Sequence, residues 1–177
     1  MEETVTITKI EIAHRLLKTA IELWFANSDP IPIHTLSAAA YQIVHDLNSH
    51  NKGPELLFDT KLIKNEYRAD FTSAFKKVSN FMKHAERAKG DKFKSIEFTP
   101  ELNEQFILFT IFGLKYLKEN LIAEEIAFER WQMFQNPNLL PDAGKELFDH
   151  TFTAESIEKI RSIEKSEFLQ AFKLLLR

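Results

Sequence analysis

The sequence predicts an all-α protein, a single-domain helical bundle of about six to seven helices, on three observations. Only 4 glycines and 6 prolines occur in 177 residues, too little turn-making material for the many reversals of a sandwich or barrel. Apolar residues recur at steps of three and four along several segments, the period of a helix with one buried face. Helix-start residues stand ahead of those segments at Thr8, Thr99 and Thr153.

Thr8-Lys9-Ile10-Glu11 fits a capping box, in which the threonine hydroxyl and the glutamate carboxylate each accept a backbone N–H that the first turn leaves free. The helix behind it carries Ile10, Ala13, Leu17, Ile21 and Trp24 on one stripe and stops at Asn27-Ser28-Asp29-Pro30. Proline suits a first turn, so a second helix is predicted to open near Pro32, place His34 in its opening turn and run to about Ser49. Asn51-Lys52-Gly53-Pro54 breaks the chain, and Glu55 to Lys64 is predicted as a short third helix. From Tyr67 the apolar positions Phe71, Phe75, Val78, Met82 and Ala85 predict a long fourth helix, terminated by Lys89-Gly90-Asp91. Thr99 as cap and Pro100 at the first helical position predict a fifth helix to about Glu119, whose near-continuous apolar centre marks it as the central one. A sixth covers about Ala123 to Phe134, Leu139 to Phe152 reads as an irregular connector with room for one turn, and Thr153 caps a C-terminal segment interrupted near Ser162 to Ser166. The core is therefore expected over roughly residues 8–135, with a helical segment over 153–177.

A net charge of −3 gives no global attraction to nucleic acid or to an anionic membrane, so such binding must rest on a local patch. The absence of cysteine excludes disulfides, thiolate metal sites and a thiol nucleophile. The start, MEETVTITKIEIAH, lacks the basic region and apolar stretch of a signal peptide. The greasiest stretch, Phe106 to Leu117, is shorter than the roughly 20 residues of a membrane span. A soluble cytoplasmic protein without membrane contact is expected.

Helical bundles hold carboxylate and imidazole ligands well, and Glu11-Ile12-Ala13-His14 has the E-x-x-H spacing of di-iron bundles. Those sites need a second such pair, and the chain has none, so Glu11 is read as a cap and His14 as a surface histidine. His34 and His45 share a helix face but stand about 16 Å apart at the standard rise, too far to chelate one ion. No metal and no other cofactor is expected. Phosphate loops and the nucleophile elbow are missing as well, which sets aside P-loop, Rossmann and α/β-hydrolase chemistry.

What remains is a basic cluster. Lys77, Asn80 and His84 form a polar strip beside the apolar face of the fourth helix. Between Lys76 and Lys94 stand Lys76, Lys77, Lys83, Arg87, Lys89, Lys92 and Lys94 against Glu86 and Asp91. Such a patch can hold phosphate, and an imidazole titrating near neutrality within it can serve as general acid or base on a ribose hydroxyl. A lysine-rich helix end also has a purely structural use, since cations suit the C-terminal pole of the helix dipole.

The run IHTLSAAAYQIVHDL, followed some forty residues later by NFMKHAERAKGD, resembles a family of bacterial helical proteins marked by an IHTL helix start and an NFxKHA segment. That resemblance spans roughly Lys9 to Leu117 and brings no activity with it. A polar cluster ending in histidine on a long helix is also similar to HEPN-domain ribonucleases, small all-α proteins that use an arginine, four to six intervening residues, and a histidine. His84 matches that histidine and Asn80 a polar companion, while the positions open to the arginine hold Ser79, Val78 and Lys77. Lys77 can supply the charge but not a bidentate grip on phosphate. The basic cluster, together with this resemblance, leads us to expect an RNA-binding protein or metal-independent ribonuclease with His84, Asn80 and Lys77 as catalytic residues, and the cluster adds Lys83, Arg87 and His34 as substrate-binding residues. The alternative is a non-enzymatic protein that works through protein contacts, as a homodimer or within a stress or phage-defence system, because 16 Phe and 2 Trp offer much apolar surface. A small-molecule pocket lined by Trp24, His34, Tyr41 and Phe81 is a third reading.

Overall fold

The computed structural model describes residues 4–57, 64–83 and 95–176. The fold is all-α. Among the described residues the helices are α1 (Lys9–Phe25), α2 (Pro30–His50), α3 (Asn65–Lys83), α4 (Leu102–Tyr116), α5 (Ala123–Gln135), α6 (Asp142–Thr151), α7 (Ala154–Arg161) and α8 (Lys165–Leu175), with a 3-10 turn over Pro137–Leu139 ahead of α6. α2 packs along both α1 and α4, α3 lies on α2, and α5 and α8 close the other side against α1. No helix is long and apolar enough to cross a membrane, among the described residues.

The helix starts follow from their caps. Thr8 Oγ1 accepts from Glu11 N at 3.2 Å and Glu11 Oε2 accepts from Thr8 N at 2.7 Å, completing the capping box of α1. Asp29 Oδ1 accepts from Ile31 N at 2.9 Å, so α2 opens at Pro30, two residues before the predicted start. Three helices stop alike, with Asn27, Lys52 and Lys118 at positive φ (50°, 54° and 61°). The next residue in each case reaches back five positions: Ser28 N to Leu23 O, Gly53 N to Asn48 O and Glu119 N to Leu114 O. That is the left-handed C-terminal motif that satisfies otherwise free carbonyls.

Burial is divided between two clusters. The larger takes Leu17, Ile21 and Phe25 from α1, Val44 from α2, Ile107 and Ile111 from α4, Phe128 from α5 and Phe168 from α8. Within it, Trp24 meets Phe128 edge to face at 4.9 Å, Trp131 meets Phe168 at 5.0 Å, and Phe25 stacks on Phe168 at 6.0 Å. The smaller cluster holds Ala38, Tyr41, Leu56, Leu57 and Phe106, with Phe75, Phe109 and Phe112 packed against it where α2, α3 and α4 meet. Ionic contacts to the buried Glu124 and Glu125 join α1, α5 and α8: Lys173 Nζ lies 3.0 Å from the half-exposed Glu22 and 2.6 Å from Glu124, and His14 Nδ1 lies 2.7 Å from Glu125.

Several predicted elements are corrected. Glu55 to Leu57 are not helical, and 58–63, the rest of the predicted short helix up to Lys64, lie outside the described residues. The predicted fifth helix begins at Leu102, because Thr99, Pro100 and Glu101 accept three-residue bonds from Leu102, Asn103 and Glu104 and form a tighter turn first. The predicted connector contains the ten-residue α6. Its Phe148 and the following Phe152 pack on Phe134 at 5.4 and 4.9 Å, and that burial holds α6 in place despite Gly144. The C-terminal segment breaks over Ser162–Glu164, which separates α7 from α8.

Candidate functional site

Among the polar side chains on the apolar faces of α2, α3 and α4, folding brings together one from each helix. His34 precedes Ala38 and Tyr41 on one face of α2, Ser79 lies between Phe75 and Met82 on α3, and Asn103 precedes Phe106 and Ile107 on α4. His34 Nδ1 is 2.9 Å from Asn103 Oδ1, and His34 Nε2 is 3.0 Å from Ser79 Oγ. Asn103 Nδ2 donates to the carbonyl of Pro30 at 3.0 Å. The imidazole is fully buried, with Phe98 and Phe106 edge-on at 5.1 and 5.3 Å.

For a neutral imidazole these contacts assign every proton of the relay. The Pro30 carbonyl can only accept, so the Asn103 amide must turn its NH2 toward it and its oxygen toward His34. An oxygen facing Nδ1 requires Nδ1 to carry the proton, which leaves a lone pair on Nε2. The hydroxyl of Ser79 therefore donates to Nε2. Burial lowers the His34 pKa, the bond to Asn103 works against that, and the positive charge of Lys83 adds to the lowering. The ring is thus held neutral, with its basic nitrogen on a serine hydroxyl.

Ser79 is also part of the wall of a surface hollow of about 140 Å³ between α2, α3 and α4, lined by Ala38, Gln42, Lys76, Ser79, Asn80, Lys83 and Phe106. Among the described residues that wall takes two lysines, two amide residues and one serine and no Asp or Glu, although Gln42 Nε2 donates to the Asp46 carboxylate behind it at 2.7 Å. Of the residues singled out in the sequence, Asn80 and Lys83 are brought together here. Lys77 is exposed on α3 and is not part of the wall. His34, expected to touch substrate, is sealed behind Ser79 and reaches the hollow only through that hydroxyl. His84 and Arg87 lie outside the described residues.

Ser79 and Asn103 were not singled out by sequence reasoning. The available signal was a polar residue on an otherwise apolar stripe. The four residues of the third reading do not come together: Tyr41 is buried against Phe106, Phe81 is 41% exposed, and Trp24 borders a different hollow of about 290 Å³. There Lys165 Nζ sits 3.6 Å from the centre of a Trp24 ring, and its loss of water lowers the lysine pKa, with Glu104 partly opposing.

Glu11 and His14 point to separate partners. Glu11 is held by Thr8, whose backbone and side-chain hydrogen bonds lower its pKa, whereas the His14 pKa is raised by the hydrogen bond to buried Glu125, with burial opposing. Among the described residues, no three His, Asp or Glu side chains gather into a group able to hold a metal ion. No protein-family model, no curated protein and no solved structure matches the chain.

Proposed function

We propose that the protein binds RNA, with a backbone phosphate seated in the hollow between α2, α3 and α4. The observation that carries this is the convergence of Lys76, Lys83, Gln42, Asn80 and Ser79 on one wall that takes no Asp or Glu from among the described residues. At about 140 Å³ the hollow is smaller than the roughly 300 Å³ that encloses a drug-sized molecule, which suits one phosphate presented by a longer strand. Fluorescence anisotropy with a labelled single-stranded RNA tests it. Affinity is expected to fall with salt, and the double variant Lys76→Glu/Lys83→Glu to lower the slope of log K against log salt by about 0.7, the value for the one phosphate the hollow seats. Binding that salt does not weaken, or a slope unchanged in the variant, contradicts it. Cleavage, the activity implied by likeness to HEPN ribonucleases, rests on His84. It is tested by incubating labelled RNA in chelator with the protein and with His84→Ala.

A second reading, contact with another protein chain, draws on Leu174, Leu175 and Leu176, which are 67%, 83% and 53% exposed on and just after α8. Trp24, Phe25, Phe106, Phe128, Trp131 and Phe168 are buried and do not contribute to it, while Tyr67, Phe81 and Tyr116 are exposed. Light scattering that gives a larger mass for the protein than for a Leu174→Ser/Leu175→Ser variant favours this reading, and equal monomeric masses exclude self-association through the leucines.

A further inference from the structure

We propose that Ser79 is a nucleophile, with His34 as its general base and Asn103 as the residue that positions the imidazole, and that it accepts the acyl group of a small acyl phosphate. The arrangement has the three parts that nucleophilic catalysis by a hydroxyl requires. A hydroxyl lies 3.0 Å from a basic imidazole nitrogen, the other ring nitrogen lies 2.9 Å from an oriented acceptor, and the hydroxyl residue lines an open hollow. Each part comes from a different helix. The donors to Asn103 and His34 follow one another without ambiguity from the Pro30 carbonyl, so the base is presented in the tautomer that can take the serine proton.

The substrate class follows from the wall. Lys76 and Lys83 supply positive charge for a phosphate, and the volume of about 140 Å³ admits only a short acyl group beside it. Asn80 and Lys83, one and four residues after Ser79 on α3, are on the same wall and are the donors for charge that develops on the carbonyl oxygen. In the acylation step a bond forms between Ser79 Oγ and the carbonyl carbon, and the bond from that carbon to the phosphate oxygen breaks. The hydroxyl proton passes to His34 Nε2, and the phosphate, facing the open hollow, takes a proton from solvent as it departs. Water from the hollow then hydrolyses the acyl-serine: its hydroxyl joins the acyl carbon, the acid leaves, and Ser79 Oγ recovers its proton from His34 Nε2. The inference shares the lysines with the RNA reading but does not depend on RNA being the ligand.

Acetyl phosphate is the probe. Incubation with the full chain, followed by peptide mass spectrometry, is expected to place an acetyl group on Ser79 that alkaline hydroxylamine removes, unlike acetyl amides on lysines, and Ser79→Ala is expected to abolish that ester. A second measurement uses the absence of cysteine from the chain. The single thiol of a Ser79→Cys variant, beside His34 and Lys83, is expected to be alkylated by iodoacetamide about tenfold faster at neutral pH than the exposed thiol of Lys77→Cys. No hydroxylamine-labile acetyl group on Ser79, or a Ser79→Cys thiol that reacts no faster than the Lys77→Cys thiol, overturns the proposal. RNA anisotropy on His34→Gln separates the two functions, because His34 is buried outside the wall and the lysines, amides and Ser79 are kept: a loss of acylation with RNA binding retained isolates the nucleophile from phosphate binding.

Discussion

His34 and His14 are both packed histidines, and their surroundings act on them in opposite directions. His34 loses water and faces a neutral amide, a hydroxyl and the charge of Lys83, so its folded pKa lies below the ordinary 6.5. The unfolded chain then takes up the proton first, and the stability that depends on a neutral His34 is complete above about 6.5 and lost as the pH falls below it. His14 Nδ1–H donates to the buried Glu125 carboxylate, so its folded pKa lies above 6.5. Its contribution is complete below the unfolded value and lost as the pH rises through the folded one. NMR titration of the imidazole Cε1–H signals is expected to give a His14 midpoint above 6.5 and a His34 midpoint below it, and His14→Gln to remove the alkaline loss of stability. Two midpoints at the ordinary value contradict both assignments. The types of these residues and their helix faces were readable in the sequence. Their partners were not, because Glu125 is 111 residues from His14, and Asn103 and Ser79 are 69 and 45 from His34.

Helices were legible wherever a local signal decided them. Thr8 with Glu11 fixes the start of α1, Thr153 caps α7 by accepting from Ser156 N, and the apolar steps of α1 bury Ala13, Leu17, Ile21 and Trp24. α6 was not legible, because its helix rests on Phe148 and Phe152 reaching Phe134 of α5 rather than on any cap. Arg161 shows the same dependence on distant partners, since its Nε donates to the Phe134 carbonyl at 2.8 Å and closes the end of α5. The contact of α2 with α4 rests on Gly113. A Cβ there would run into Val44 Cγ1 and come within 3.0 Å of Leu56 Cδ1. Gly113→Ala improves helix propensity by about 1 kcal/mol and overpacks by about 1–3 kcal/mol, so a net loss of about 1 kcal/mol is expected in urea unfolding at constant m. A variant more stable than the parent contradicts the close approach of the two helices.

At the scale of the whole molecule, stability and site are placed on different parts of the bundle. The larger cluster ties α1, α2, α4, α5 and α8 together, and the ionic contacts of Lys173 and Glu124 add a tie between α1, α5 and α8. Burial works to raise the Glu124 pKa, but the hydrogen bond from Lys173 and the nearby lysine charges outweigh it and the net shift is downward. α3, which carries Ser79, Asn80 and Lys83, packs chiefly on α2, and Val78 is its buried side chain among those described. Native-state hydrogen exchange is therefore expected to open α3 at a lower free energy than α1, α2 and α4. Equal protection across these helices contradicts that division. The centre of the site is a relay that three helices assemble, from the Pro30 carbonyl through Asn103 and His34 to Ser79. A long-range nitrogen–proton NMR correlation spectrum of His34 at neutral pH tests it directly. A protonated Nδ1 with a bare Nε2 is the predicted result, and a proton on Nε2, or on both nitrogens, would contradict it.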